Sequence, residues 1–525
     1  MNTWMEEHVR TLSQLSGISP QEAQTLFDQP LYIALDPAMR DNATYRLAFV
    51  YAVNLLTRLF PATQFDDLRD KSLLILPWGG ISPLSSVVRS SKHVLLFGNG
   101  PAKANGARSI VTANCHDWQV YIDVPCEPDP REPWNPVLAL TTACYAAARI
   151  TKLLLGDAVD GPDTWHPFSI LDFRQASVDF DWSAPFEIDQ IYLAGIGAIG
   201  SATLLAMAAH GAASGKLMLV DHDLLEWKNL GRYTFFDAGD EGIEKALAAK
   251  KRLDNLGLRV SVEPISDRFE KHYDKEQSRN PRFGIPRLLS APDRRDTRRQ
   301  FQSRLPCEIW DASTGPDQVV LHHNSFNPKL ACLSCIYPEI PSEYAHWEHV
   351  AEKLDVPLDR LLSGDSITER DAVRIVAKYP HLLKDDVEGR AFDSVFRDLC
   401  SAGTLRGSEK SVLAPFPFIS GLAGVMLYFE FVKSMHSEVF DRYQQYNYTQ
   451  LNPFFPPNPE FRELRPSKPD CFCQDTLVRN VFSKIWGNGR SGGAHKIDVS
   501  EFSLTPKLDP SRSSWFKKRD QRISS

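Results

Sequence analysis

The sequence predicts an α/β fold organised around a nucleotide-binding βαβ unit, and three observations carry that reading. A short apolar run from Ile188 to Leu193 is bounded by glycine and too short for a helix, so it reads as a buried strand. Gly195, Gly197 and Gly200 then set G-x-G-x-x-G at the opening of an alanine-rich helical segment. A second apolar run, Lys216 to Val220, ends on Asp221 roughly 20 residues further along, the spacing at which a carboxylate takes ribose hydroxyls.

Each element has a physical reason. Without Cβ atoms the glycines allow a tight turn and let backbone N–H groups approach a polyphosphate. The helix that starts there adds partial positive charge facing the anion. A dehydrogenase could use such a crevice equally well. The residues from Asp221 onward separate the two readings: Asp221-x-Asp223, then Asn229-Leu230-Gly231-Arg232, then Lys245. Arginine as a planar fork and lysine as a point charge suit a reaction that brings two anions together. A nicotinamide dehydrogenase has no role for Asn229, Arg232 and Lys245. No G-x-x-x-x-G-K-[ST] loop occurs, so a Walker-type phosphate cradle is not in play.

Over residues 191–253 this D-x-D…N-L-x-R…K train resembles the ThiF/MoeB/ubiquitin-activating enzyme family, which adenylates the C-terminal carboxylate of a ubiquitin-like protein. The resemblance implies two Rossmann-like adenylation lobes, an inactive N-terminal one and an active C-terminal one, using ATP and Mg²⁺. It places Gly195, Gly197, Gly200, Asp221 and Asp223 at the nucleotide and puts Asn229, Arg232 and Lys245 on its phosphates. One half of such an enzyme sends an arginine into the ATP site of the other, and Arg40 or Arg46 is the candidate. The family usually carries D-x-T-D-N with its second aspartate on Mg²⁺. Here Asp311 keeps the first position and Thr314 replaces the second, so Asp311 is expected to hold the metal, with Asp317 the alternative. Mg²⁺ tolerates this, because it keeps several waters and needs few carboxylates.

The cysteines carry a second chemistry. Cys332-x-x-Cys335 and Cys471-x-Cys473 form a four-thiolate set of the kind that closes around a structural Zn²⁺, as family members often do. A redox C-x-x-C or reduced buried cysteines are the other readings. Residues 336–413 shift to helical composition, and by position resemble the catalytic-cysteine insertion of ubiquitin-activating enzymes. Cys400 is then the expected nucleophile, storing the activated carboxylate as a thioester before transfer to a conjugating enzyme. A buried helix-end cysteine is the competing reading.

Length allows roughly three domains. The expected division is 1–155, an inactive lobe; 156–187, a linker; 188–335 and 414–480, the active lobe; 336–413, the insertion; and 481–525, a weakly ordered tail. In the first lobe Leu73–Leu76, Val94–Phe97 and Val120–Val124 read as strands. Pro136–Leu155 and Pro415–Lys433 are similar apolar helices, hinting at an internal repeat. LLFGNGPAKANG in the first copy lacks the glycine fingerprint. Ser266–Pro306, with seven arginines from Arg279 to Arg299, reads as a solvated excursion.

Net charge of −7 argues against nucleic acid as a partner. The first residues lack an apolar signal core, and the most apolar helix is interrupted by Glu430 and Lys433, so no membrane span is expected. Nine cysteines, clustered and odd in number, point to a reducing cytoplasm. The chain is expected to act as a monomer or homodimer. Its inactive-plus-active layout looks most like the single-chain activating enzymes of bacterial ubiquitin-like (Bil-type) antiphage operons.

Overall fold

A computed structural model describes residues 3–67, 72–78, 93–100, 107–156, 161–162, 164–362, 367–390 and 415–487, with Phe392, Val395, Phe396 and Leu399 besides. Cys400 and the tail from residue 488 lie outside the described residues.

Helices α1 (Thr3–Ser16) and α2 (Pro20–Phe27) lead into two sheets that form the frame. The first is built from β1 (Leu31–Leu35), β2 (Gln64–Phe65), β3 (His93–Phe97), β4 (Ser109–His116), β5 (Gln119–Ile122) and β6 (Phe168–Ser169), in the order β2-β1-β3-β4-β5-β6. The second contains β7 (Phe186–Ala194), β8 (Ala213–Val220), β9 (Val260–Ile265), β10 (Arg287–Ser290), β11 (Glu308–Thr314), β12 (Val319–Asn324), β13 (Tyr448–Leu451) and β14 (Arg462–Glu463). Its order is β14-β13-β12-β11-β10-β7-β8-β9. Strands β9, β8, β7, β10 and β11 run parallel, and β12 to β14 extend the sheet antiparallel.

The two sheets repeat one another. Strands β1 to β6 take the places of β7, β8, β10, β11, β12 and β13, in the same spatial order. The directions agree too: the first three pairings are parallel and the last two antiparallel. After β1 comes α3 (Ala43–Leu56) and after β7 comes α5 (Ala198–His210); likewise α4 (Pro136–Leu155) answers the helix Pro417–Met435. In this correspondence the counterpart of the glycine turn is Asp36–Asn42 after β1, not LLFGNG, which ends β3 in the place of β10.

Apolar content explains why these four helices meet. Pro136–Leu155 and Pro417–Met435 are long and apolar enough to cross a membrane, yet 89% and 83% of their apolar windows are buried inside the protein. A Cβ at Gly424 would fall 2.4 Å from the carbonyl oxygen of Ile199, so the helix can lie on α5 only with glycine there. The Thr203 hydroxyl donates to the Gly424 carbonyl at that contact. One continuous core, including Tyr45, Phe49, Cys144, Leu204 and Phe429, runs through both lobes.

Three sequence expectations change. Leu73–Leu76 is not a strand; the Asn54 side chain takes its backbone groups, donating to Leu73 O and accepting from Ile75 N–H. The segment 156–187 adds β6 to the first sheet and buries Trp182. Ser266–Pro306 is no excursion: it holds α7 (Phe269–Arg279), the central strand β10 and α8 (Arg295–Ser303), with Arg287 and Arg298 buried. Beyond Tyr337 the helices Pro341–Leu354, Leu358–Leu362 and Glu369–Lys378 gather around a core of their own, including Trp347, Val350, Leu354 and Ile375.

Candidate functional site

The register of the second sheet lines up the strand ends. Ala194 pairs with Val220 on one side and Ser290 on the other, and Ser290 pairs with Asp311. From β7 the chain runs to β8 and β9 on one side, then returns to β10 on the other. That makes the gap beyond β7 and β10 a topological switch point, where open α/β sheets bind ligands. The glycine turn sits there. Gly195 has φ +92°, and a Cβ on it would lie 2.6 Å from the carbonyl oxygen of Ala291. A Cβ on Gly200 would meet the Gly195 carbonyl oxygen at 2.1 Å. Neither position accepts a side chain.

Asp221 follows β8 and accepts from the Ile196 N–H at 2.6 Å and the Asp223 N–H at 2.9 Å. The carboxylate thus joins the glycine turn to its own loop. Lys245 opens α6 (Lys245–Asn255) and is buried. Its Nζ donates to Asp223 Oδ2 at 2.7 Å, stands 4.0 Å from Asp221 Oδ1, and lies 5.5 Å from the centre of the Tyr233 ring. Burial works against the charge, but Asp221, Tyr233 and Asp223 outweigh it and hold the ammonium well above the usual lysine range. A permanent cation therefore stands beside the crevice.

Asn229 and Arg232 lie on the turn Trp227–Gly231 and just beyond it. Asn229 Oδ1 accepts from the Glu226 N–H at 3.0 Å, fixing the turn. Arg232 meets an unexpected group: its Nη2 is 3.2 Å from Glu7 Oε2, on α1. Next to it, His8 Nε2 bonds the Gly231 carbonyl at 3.0 Å.

Arg40 and Arg46 both sit at the turn after β1 and the start of α3. Arg40 lies 4.0 Å from Asp66, and Arg46 donates to the carbonyls of Arg40 and Asp41. A different arginine, Arg58, just past α3, reaches from the first lobe to the loop after Arg232. It donates to the Tyr233 and Phe236 carbonyls at 3.2 and 2.9 Å while holding those of Asn54 and Ile75. Complete burial lowers its pKa to about 9. The sequence does contain a signal for it: one arginine set among Asn54-Leu-Leu-Thr-Arg-Leu-Phe60, where an unpaired charge would be costly.

Asp311 lies in the row of strand ends and is fully buried. It accepts from the Ser290 hydroxyl at 2.6 Å, the Tyr337 hydroxyl at 3.0 Å, and Arg298 Nε at 3.0 and 3.1 Å. Its oxygens are thus committed to an arginine and two hydroxyls. Asp317 is half-buried in the hairpin turn between β11 and β12, at the same end of the sheet.

The four cysteines converge. Cys332 Sγ lies 3.8 Å from Cys335 and 3.6 Å from Cys471, and Cys335 lies 3.7 Å from Cys473. Four thiolates at about 2.3 Å from a tetrahedral Zn²⁺ stand about 3.8 Å apart. The set fits that ion closely, and a disulfide, with sulfurs about 2.05 Å apart, is not formed.

The first lobe has a carboxylate where the second has its first glycine. Asp36 follows β1 as Gly195 follows β7, and its carboxylate accepts from Ala38, Asn99 and Gly100 N–H at 2.9, 3.0 and 2.6 Å. Ala38 lies in the counterpart of the glycine turn, and Asn99 and Gly100 in the counterpart of the chain beyond β10, so the carboxylate bridges the two strand ends.

A glycine turn at a switch point, backed by a buried lysine and a nearby arginine, defines a nucleotide-binding α/β protein of the kind that works on ATP. The chain belongs to the ThiF family, whose sequence model matches residues 187–474. It is 27% identical over 494 residues to the uncharacterized protein y4jF of Sinorhizobium fredii, covering 88% of this chain and 92% of that one. Over 80 residues it is 32% identical to a probable molybdopterin-synthase adenylyltransferase of Porphyra purpurea, covering 15% of this chain and 20% of that protein. Among solved structures, E. coli MccB shares 14% identity with a TM-score of 0.33, covering 55% of this chain and 66% of its own.

Proposed function

We propose that this chain uses MgATP to adenylate the C-terminal carboxylate of a protein or peptide, and that its substrate is a ubiquitin-like protein. The observation that carries the reading is Lys245: a buried, permanently charged ammonium beside the glycine turn, with Arg232 on the neighbouring loop. In such a reaction one carboxylate oxygen attacks the α-phosphorus and pyrophosphate leaves. The protein supplies position and fixed positive charge where phosphate charge builds up. Asp221 and Asp223 face the ribose, while Asn229, Arg232 and Lys245 face the phosphates.

Mg²⁺ supplies charge neutralisation when bound. With Asp311 committed to Arg298, Asp317 is the carboxylate we assign to the ion, with phosphates and water completing its shell. Zn²⁺ in the four-cysteine set is structural, since four thiolates leave no position open. Cys400 then attacks the acyl adenylate, AMP leaves, and the resulting thioester passes the acyl group to a conjugating enzyme. The likeness to Bil-type operons rests on layout, and a cytoplasmic place rests on reduced cysteines.

ATP–pyrophosphate exchange tests the core of this. Exchange should require a carboxyl-terminal substrate and fall at least about 100-fold in Lys245→Ala. Exchange undiminished in that variant removes the reading. Exchange retained with full product transfer in Cys400→Ala would remove only the thioester stage, leaving direct modification of a peptide or sulfur carrier.

A further inference from the structure

We propose that Glu7 competes with ATP for Arg232, so that the N-terminal helix sets the nucleotide affinity of the active lobe. The inference rests on the assignment of Arg232 to the phosphates. Arg232 offers a planar fork suited to two oxygens of one anion, carboxylate or phosphate alike. In this structure Glu7 holds it: Nη2 to Oε2 is 3.2 Å, with about a fifth of each side chain exposed. The pairing leaves the fork half used, because the buried Arg232 Nε–H has no acceptor among the described residues. A larger anion entering from the crevice can use both.

The helix is seated to make this contact. Met5, Val9 and Leu12 of α1 enter the main core, and His8 Nε2 bonds the Gly231 carbonyl one residue before Arg232. Glu7 is therefore a tethered anion at high local concentration, and a triphosphate must displace it. Apparent nucleotide affinity falls by the fraction of molecules in which Glu7 holds the guanidinium. Displacement withdraws one of the polar contacts that seat α1, so nucleotide binding loosens the helix.

The sign of one substitution decides the matter. Binding of a non-hydrolysable ATP analogue to the full chain is measured by calorimetry for wild type, Glu7→Gln, Arg232→Ala and the double variant. Glu7→Gln should tighten binding about three- to tenfold. Arg232→Ala should weaken it, and Glu7→Gln should then add nothing. Hydrogen exchange in residues 3–16 of wild type should speed up on adding the analogue. Unchanged or weaker binding in Glu7→Gln overturns the proposal, the weaker case making Glu7 a positioning residue. If Arg232→Ala leaves binding unchanged, the phosphate assignment falls and this inference with it.

Discussion

At the residue scale, the proposed function divides between Asp311 and Asp317 two duties that the motif alone gives to one position. Asp311 neutralises a buried guanidinium, and removing one partner of such a pair leaves the other uncompensated. Asp311→Asn should cost about 3 kcal/mol of stability by denaturant titration. Asp317→Ala should change stability by about 0.5 kcal/mol or less, yet raise the Mg²⁺ concentration for half-maximal exchange about tenfold. Two histidines add a pH dependence. Burial lowers the pKa of His8 and of His210 to about 4 each. Between that value and the ordinary 6.5 the unfolded chain binds more protons, so stability is complete above 6.5 and is lost as pH falls toward 4. Each should forfeit roughly 2 kcal/mol at pH 5. Replacing His210 with Gln should flatten the fall in a pH series of melting curves.

At the element scale, the cysteine pairs staple the loop after β12 to the chain beyond β14. Phe482 and Ile485 of the helix Thr476–Trp486 pack on the same cluster. Metal binding at such a site is coupled to local folding. A chelator should release one Zn²⁺ per chain and lower the melting temperature by roughly 5 °C or more, as should Cys335→Ser without chelator. A metal-free preparation melting at the same temperature would remove the zinc. Elements differ in how plainly the sequence announces them. The glycine turn, β8, β9 and both long apolar helices are legible because their signals are local and continuous. Strand β10 is not: four residues, Arg287-Leu-Leu-Ser290, carry too little pattern amid seven arginines. Its burial comes from neighbours, and Arg287 and Arg298 become core residues only because Glu308 and Asp311 await them. Glu7 escapes for the same reason, since its partner Arg232 lies far away in the chain.

At the scale of the whole molecule, the first lobe acts as the scaffold for the loop that carries Arg232. His8, Arg58 and the Pro77 carbonyl all grip residues 231–238. Arg58→Ala takes the donor from the carbonyls of Asn54, Ile75 and Phe236, each costing about 1–3 kcal/mol, while the Tyr233 carbonyl keeps the Phe236 N–H. The variant should lose roughly 4 kcal/mol of stability and bind nucleotide more weakly, though Arg58 touches no nucleotide. Arg58→Lys should recover only part, because an ammonium cannot span the same fork. A variant with wild-type nucleotide affinity would make the cross-lobe grip irrelevant to the site.

Asp36 has a consequence for counting. A duplicated frame would ordinarily offer two berths, and here the turn of the first carries the Asp36 carboxylate, bonded to the Ala38, Asn99 and Gly100 N–H groups. Saturation with ATP should therefore end at a single equivalent per polypeptide, whatever assembly the polypeptide joins.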